Sequence, residues 1–226
     1  MIYDVITLFP EIINGYCSQS ITKRGIETGI IEVKTHNPRD FSLDKHKRVD
    51  DTPYGGGAGM VLACQPIFDC YNSIEKKENF EFIMLTPQGE RFNQNLAVEL
   101  SKKEQIIFLC GHYEGFDERI RIGLKPREIS IGDFVLTGGE LPALTMIDSI
   151  SRNLENYLGK DKCAHDDSFS SGLEGLLEYP HYTKPREYLG MEVPQVLLNG
   201  NHKEIEQFRK EESLKRTKTR RPDLLN

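Results

Sequence analysis

Short apolar runs alternate with helix-patterned stretches along the front two-thirds of the chain, and this alternation constrains the fold more than any other feature. Strand candidates cover residues 2–8, 30–35, 80–85, 106–110 and 128–131, and helix candidates cover 10–17, 21–28, 65–76, 93–102 and 141–157. Strands separated by helices imply crossover connections and therefore a mostly parallel sheet. The runs are rich in Ile, Val and Phe without clean alternation, as expected of a sheet covered on both faces. The expected class is α/β. After Leu158 the segment GKDKCAHDDSFSSG is polar and aperiodic and reads as a linker. The organisation is then 1–159 as one domain, 160–174 as linker and 175–226 as a small α-helical domain, with a helix over 202–215.

With 226 residues, 38% hydrophobic and 28% charged, the chain is built like an ordinary soluble protein. No window nears the roughly 18 apolar residues of a membrane span. The opening MIYDVITLFPEI reads as a buried strand entering a helix rather than a targeting leader. Cys17, Cys64, Cys70, Cys110 and Cys163 are scattered and include no Cys-x-x-Cys pair, so reduced, buried thiols are expected. A net charge of −6 argues on average against nucleic acid. Locally, Lys45, His46, Lys47 and Arg48 cluster, and Lys215, Arg216, Lys218, Arg220 and Arg221 occur with no acid among them. Taken alone, such runs read as solvated faces.

Four segments carry candidate chemistry. PYGGGAGM (53–60) is glycine-rich enough to approach a phosphate or nucleotide, but it lacks the Gly-Lys-Ser/Thr of a Walker A loop and the third glycine of a dinucleotide fingerprint. A merely flexible loop fits equally. LTPQGERF (85–92) leaves a strand, turns at Pro87–Gly89 and is expected to enter a helix. FLCGHYEGFDERI (108–120) follows another strand. Its Glu114 is suited to ribose hydroxyls or an amino group, to a metal, or to capping the next helix, whereas Asp117, Glu118 and Arg119 look like first-turn helix charges. EISIGDFVLTGGELPAL (128–144) ends a third strand. It offers backbone groups between apolar side chains, an environment suited to a flat heteroaromatic ring. Three such strand ends suggest one pocket. Arg152, late in a helix, and the linker carboxylates Asp166 and Asp167 are explained as readily by a dipole contact and by solubility.

In these strings the chain resembles the bacterial tRNA (guanine-N1)-methyltransferase family, the TrmD type of the SPOUT class. The resemblance runs in order through ITLFPE, NPRD, VDDTPYGGGAGM, LTPQG, CGHYEGFDER, SIGDFVLTGGELPA, DSISR, DDSF, PHYTKP, GMEVPQVLLNGNH and RRPDLL. It implies a SPOUT fold with a deep C-terminal trefoil knot, and S-adenosyl-L-methionine held in that knot. Ile131, Gly132, Phe134 and Leu136 would line the adenine. Leu85, Thr86, Pro87, Gly111, Tyr113, Glu114 and Gly115 would complete the pocket, and Gly138 and Gly139 would permit close chain approach. It further implies a cytoplasmic homodimer with active sites shared between chains, and no other stable protein partner. The substrate would be the guanosine 3′ of the tRNA anticodon, methylated at N1 with Asp167 as general base and Arg152 stabilising O6. Magnesium would be required, with Glu114 and Asp167 nearby. The back domain would hold tRNA, with His181, Tyr182 and Arg220 as contacts and Phe208 as a stacking aromatic. His112 stands where many members carry arginine, and Phe208 where many carry tryptophan. A different SPOUT RNA methyltransferase and a non-catalytic RNA-binding module are the competing readings.

Overall fold

A computed structural model describes residues 1–159 and 167–225. The chain separates into two compact units, Met1–Gly159 and Lys160–Asn226.

The first unit is a five-stranded sheet with helices on both faces. Its elements are β1 (Ile2–Ile6), α1 (Pro10–Cys17), α2 (Ser20–Glu27), β2 (Glu32–His36), the short pair β3 (Asp50–Asp51) and β4 (Val61–Leu62), α3 (Cys64–Ser73), β5 (Phe80–Arg91), α4 (Gln94–Leu100), β6 (Gln105–Leu109), α5 (Glu118–Leu124), β7 (Arg127–Ser130) and α6 (Glu140–Ser151). The sheet order is β2-β1-β6-β5-β7, and every pairing in it is parallel. The expected parallel α/β sheet is therefore present.

Side chains on successive strand residues point to opposite faces, and both faces are apolar here. Tyr3, Val5, Ile83, Leu85, Ile106, Phe108 and Ile129 form one core with α1, α4 and α6. Ile6, Phe82, Met84, Ile107 and Leu109 form a second core with α3 and α5. This double coverage is why the strands read as unbroken apolar runs. Two polar side chains, Asp4 and Gln105, interrupt the second face. Asp4 is buried, accepting from the Gln105 amide at 2.6 Å and pairing with the His36 ring at 2.7 Å. The Gln105 carbonyl accepts from Lys77 N–H at 2.8 Å, which ties the start of β6 to the segment before β5.

Three element boundaries of the first unit depart from expectation. The chain does not turn into a helix at Pro87–Gly89. Strand β5 continues to Arg91, because after a local excursion Glu90 rejoins the ladder opposite Ile129, the residue that Leu85 already faces. Gly89 permits this, since a Cβ there would overlap the Glu128 and Ile129 backbone. The helix expected to run to Tyr157 stops at Ser151, where Asn153 and Leu154 make i→i−3 bonds and the Asn153 amide takes the Ser149 carbonyl at 2.7 Å. Helix α3 stops at Ser73, and the Lys76 ammonium donates to the Tyr71 and Ile74 carbonyls.

The cysteines are largely packing groups. Cys17, Cys64, Cys70 and Cys110 are free, and Cys163 lies outside the described residues. Burial pushes the Cys17 thiol up to about 11 and Cys70 up to about 12, so neither is a nucleophile near neutrality. Cys64 departs from the expected burial and is partly exposed.

The second unit contains β8 (Glu187–Tyr188) and β9 (Met191–Glu192), an antiparallel hairpin, and α7 (His202–Arg220). The helix extends beyond the expected 202–215, and the hairpin has no counterpart in the sequence reading. Ser213 on α7 donates to the Leu177 carbonyl at 2.6 Å, and Leu177 N–H donates to Thr217 at 3.0 Å. Asp166 lies outside the described residues.

Replacing Asp4 tests the buried network. Asp4→Ala removes the partner of the His36 ring and one of two acceptors of the Gln105 amide, which keeps the Glu75 carbonyl at 3.0 Å, and is expected to cost roughly 2 kcal/mol in urea denaturation. An unchanged midpoint with an unchanged slope would contradict this assignment.

Candidate functional site

Ligands in open α/β sheets bind beyond the carboxyl ends of the strands. Here the ends of β5, β6 and β7 enclose a cleft of about 500 Å³. Each strand end supplies one wall.

The excursion after Leu85 forms the first wall, with Thr86 buried and Pro87 exposed. The second wall follows β6. Cys110 N–H still pairs with the Ile6 carbonyl at 3.0 Å, then Gly111 opens a turn closed by Gly115 N–H on the His112 carbonyl at 3.2 Å. Tyr113 sits in that turn at φ +59°, a left-handed conformation that costs a non-glycine residue energy and is often kept at functional sites. Glu114 reaches along the rim against Gly59, where a Cβ would lie 2.6 Å from its Oε1. Glu114 does not cap α5. Asp117 does, accepting from Arg119 N–H at 2.9 Å, and the Arg119 side chain holds its carboxyl well below the usual range.

The third wall follows β7. The Ser130 hydroxyl holds the Gly132 carbonyl at 2.9 Å, and the loop then carries Phe134, Val135 and Leu136 outward before it returns across β6. At the return Gly139 N–H donates to the Gly111 carbonyl at 2.9 Å. A Cβ at Gly139 would lie 2.5 Å from Cys110 Cα and 2.8 Å from Gly111 N, so only glycine fits the crossing.

Every residue expected to line a ligand pocket borders this single cleft: Leu85, Thr86 and Pro87; Gly111, Tyr113, Glu114 and Gly115; and Ile131, Gly132, Phe134, Leu136, Gly138 and Gly139. Sequence reasoning missed two side chains behind the 138–139 return. Glu140, first residue of α6, is buried and accepts from the Thr7 hydroxyl at 2.6 Å, while Phe9 N–H donates to that hydroxyl at 2.9 Å. A carboxylate suits the positive end of a helix. His112, already singled out in the CGHYEG string, lines the cleft, packed between Phe9 and Tyr113 with its buried Nδ1 unpartnered. The GEL start of α6 was a visible sign for Glu140; Thr7 carried no sign of its role. At the rim, Arg121 is held by Glu128 at 3.0 Å and Glu118 at 3.1 Å.

The other candidates lie elsewhere. Arg152 caps the C-terminal end of α6, whose N-terminal end borders the cleft. At 1.5 Å per residue the helix places these ends roughly 18 Å apart. Asp167, His181, Tyr182 and Arg220 belong to the second unit. There the His181 ring pairs with Glu178 at 2.7 Å and packs on Tyr179, Tyr182 is about half exposed, and Arg220 ends α7 on the exposed side. Among the described residues, no group of three or more His, Cys, Asp or Glu side chains gathers as metal ligands. Among the described residues, Glu114 and Asp167 belong to no such group.

The crossing is testable. Gly139→Ala is expected to lose roughly 1–3 kcal/mol in urea denaturation, because the methyl group must displace β6 backbone. A wild-type midpoint would mean that the two segments are not in contact.

Comparison with known proteins gives a consistent answer. The family model described as tRNA (Guanine-1)-methyltransferase TrmD matches residues 1–226. A tRNA (guanine-N(1)-)-methyltransferase of Clostridioides difficile (strain 630) is 56% identical over 227 residues, covering 99% of this chain and 97% of that protein. Proteins of the same name are 54% identical in Staphylococcus epidermidis (strain RP62A), over 98% of this chain and 89% of theirs, and 54% identical in Bacillus pumilus (strain SAFR-032), over 99% and 91%. With its parallel sheet, glycine-crossed cleft and full-length match, the chain belongs to the tRNA (guanine-1)-methyltransferase TrmD family.

Proposed function

We propose that this chain transfers a methyl group from S-adenosyl-L-methionine to N1 of the guanosine immediately 3′ of the tRNA anticodon. The observation that carries the reading is the cleft itself: three strand ends of one parallel sheet, walled by Leu85, Ile131, Phe134 and Leu136, in a chain of this family. Apolar walls with fixed backbone N–H and C=O groups suit an adenine. The close return of residues 138–139 over Cys110 and Gly111 supports a knotted chain path, in which the loop after β7 is drawn under its neighbour.

Guanine N1 carries a proton and is a poor nucleophile. In the proposed step Asp167 takes that proton, the N1 electron pair bonds to the methyl carbon, and the carbon–sulfur bond breaks with its pair left on sulfur. S-adenosylhomocysteine departs. Negative charge spreads toward O6, where the Arg152 guanidinium offsets it. A cation at O6 makes the N1 proton more acidic and so eases its transfer to the carboxylate.

Arg152 lies roughly 18 Å along α6 from the cleft of its own chain, which supports a homodimer in which the partner subunit supplies the arginine. Ile12 and Tyr16 on α1 and Leu141 on α6 are 45%, 43% and 58% exposed, an apolar surface on two packed helices that fits such a contact. The second unit is the proposed grip on the anticodon stem. Lys215, Arg216, Lys218, Arg220 and Arg221 would meet phosphates, and His181 and Tyr182 would lie near the target base. Among the described residues no helix is long and apolar enough to cross a membrane, in keeping with an enzyme that works on tRNA in the cytoplasm.

The test uses labelled S-adenosylmethionine and unmodified tRNA transcripts with and without guanosine 3′ of the anticodon. Label is expected only in the first. Label in both removes the assigned specificity, and label in neither favours a binding module. Asp167→Ala is expected to abolish transfer while donor affinity stays within about twofold by calorimetry. Equal loss of both would make Asp167 a donor ligand or a structural residue.

A further inference from the structure

The glycine-rich loop 53–60 is not used by the proposed mechanism, yet it is built against the cleft. Strands β3 and β4 pair antiparallel, Asp50 with Leu62 and Asp51 with Val61, so the residues between them form the tip of a hairpin. The base of that hairpin is bonded to the β6 wall: Glu114 N–H donates to the Met60 carbonyl at 3.0 Å, Leu62 N–H to the Gly115 carbonyl at 2.9 Å, and Asp117 N–H to the Leu62 carbonyl at 3.0 Å. Gly59 lies against the Glu114 side chain, which lines the cleft. The loop is therefore an extension of the cleft mouth.

Its tip is an ordered turn. Gly56 N–H donates to the Pro53 carbonyl at 3.3 Å, and Gly55 has φ +88°. That bond with a positive φ at the third residue is what a type II turn requires, and Gly supplies it without strain. The turn sets Tyr54 at its corner, fully exposed. Between residues 52 and 60 there is no acidic side chain, and Lys45 and Lys47 are exposed in the segment before β3. A large aromatic held outward on a glycine turn, beside a cleft that takes a base, has the form of a stacking platform. Single-stranded nucleic acid is bound largely by stacking of bases on such rings.

We propose that Tyr54 stacks on an unpaired anticodon-loop base next to the target guanosine and so holds the target over the cleft. The inference rests on the proposed function for its choice of RNA. Tyr54 acts by positioning, and supplies no group to methyl transfer.

The experiment places 2-aminopurine beside the target guanosine in an anticodon stem-loop RNA and titrates it with the full-length chain. Wild type and Tyr54→Phe are expected to quench its fluorescence alike. Tyr54→Ala should abolish the quench and bind the RNA roughly tenfold more weakly, while its affinity for S-adenosylmethionine, read by calorimetry, stays unchanged. Equal quenching by wild type and Tyr54→Ala overturns the proposal. So does a shift of Tyr54→Ala in light scattering after size exclusion, which would make Tyr54 a subunit contact. The fluorescence signal does not require turnover. If wild type stacks through Tyr54 but transfers no methyl group, the stacking assignment stands and the proposed reaction falls.

Discussion

The architecture of the cleft turns on one backbone contact, the crossing of Gly139 over the end of β6. Gly139 N–H donates to the Gly111 carbonyl, and no side chain larger than hydrogen fits against Cys110 Cα. This contact brings the loop after β7 back over the sheet, so that residues on three strand ends face one space. It also fixes where α6 begins. The first residue of that helix, Glu140, is then buried behind the 138–139 return, a position unfavourable for a carboxylate unless it is satisfied. The helix N-terminus and the Thr7 hydroxyl together provide that satisfaction. The start of the chain, the loop after β7 and the first turn of α6 are thereby locked into one unit.

The rest of the first unit makes this crossing rigid. A sheet with apolar residues on both faces is held from two sides and resists sliding. Helix α6 buries Ala143, Leu144, Met146, Ile147 and Ile150 against one face, and its last residue, Ser151, meets the buried Tyr3 hydroxyl at 2.9 Å. Both ends of α6 are thus anchored to β1, one through Thr7 just beyond the strand and the other through Tyr3. The same rigidity fixes the long separation between the cleft and Arg152. The proposed reaction follows from this division. In that proposal the strand ends of one chain hold the donor, while the arginine at the far end of α6 acts in the cleft of the partner subunit.

The glycines serve different ends. Gly139 and Gly89 are demanded by close backbone approach, where a methyl group would strike another strand. Gly55 is demanded by a turn. The strings containing them look alike on paper, since all are glycine beside apolar residues. Their roles separate only when the neighbouring chain is in place.

Much of this was legible from residue order. The apolar runs set the strands to within a few residues, and their lack of alternation announced a sheet covered on both faces, because each run must satisfy two cores at once. The motifs suggested three strand ends around one pocket, the full-length string of motifs pointed to the family, and the resemblance implied thirteen residues that border one cleft. What local pattern could not carry is any fact that depends on two distant segments meeting. The continuation of β5 past Pro87 was hidden because a strand excursion resembles a turn until its partner strand is known. Thr7 and Glu140 are 133 residues apart and meet only through the fold. Tyr54 reads as one more aromatic until the hairpin holds it in the open. Sequence by itself determined the class of sheet, the family and which strand ends supply the cleft. The tertiary structure alone decided which backbones cross, which carboxylate is buried and which aromatic is exposed, because each depends on contacts between segments that the chain order keeps far apart.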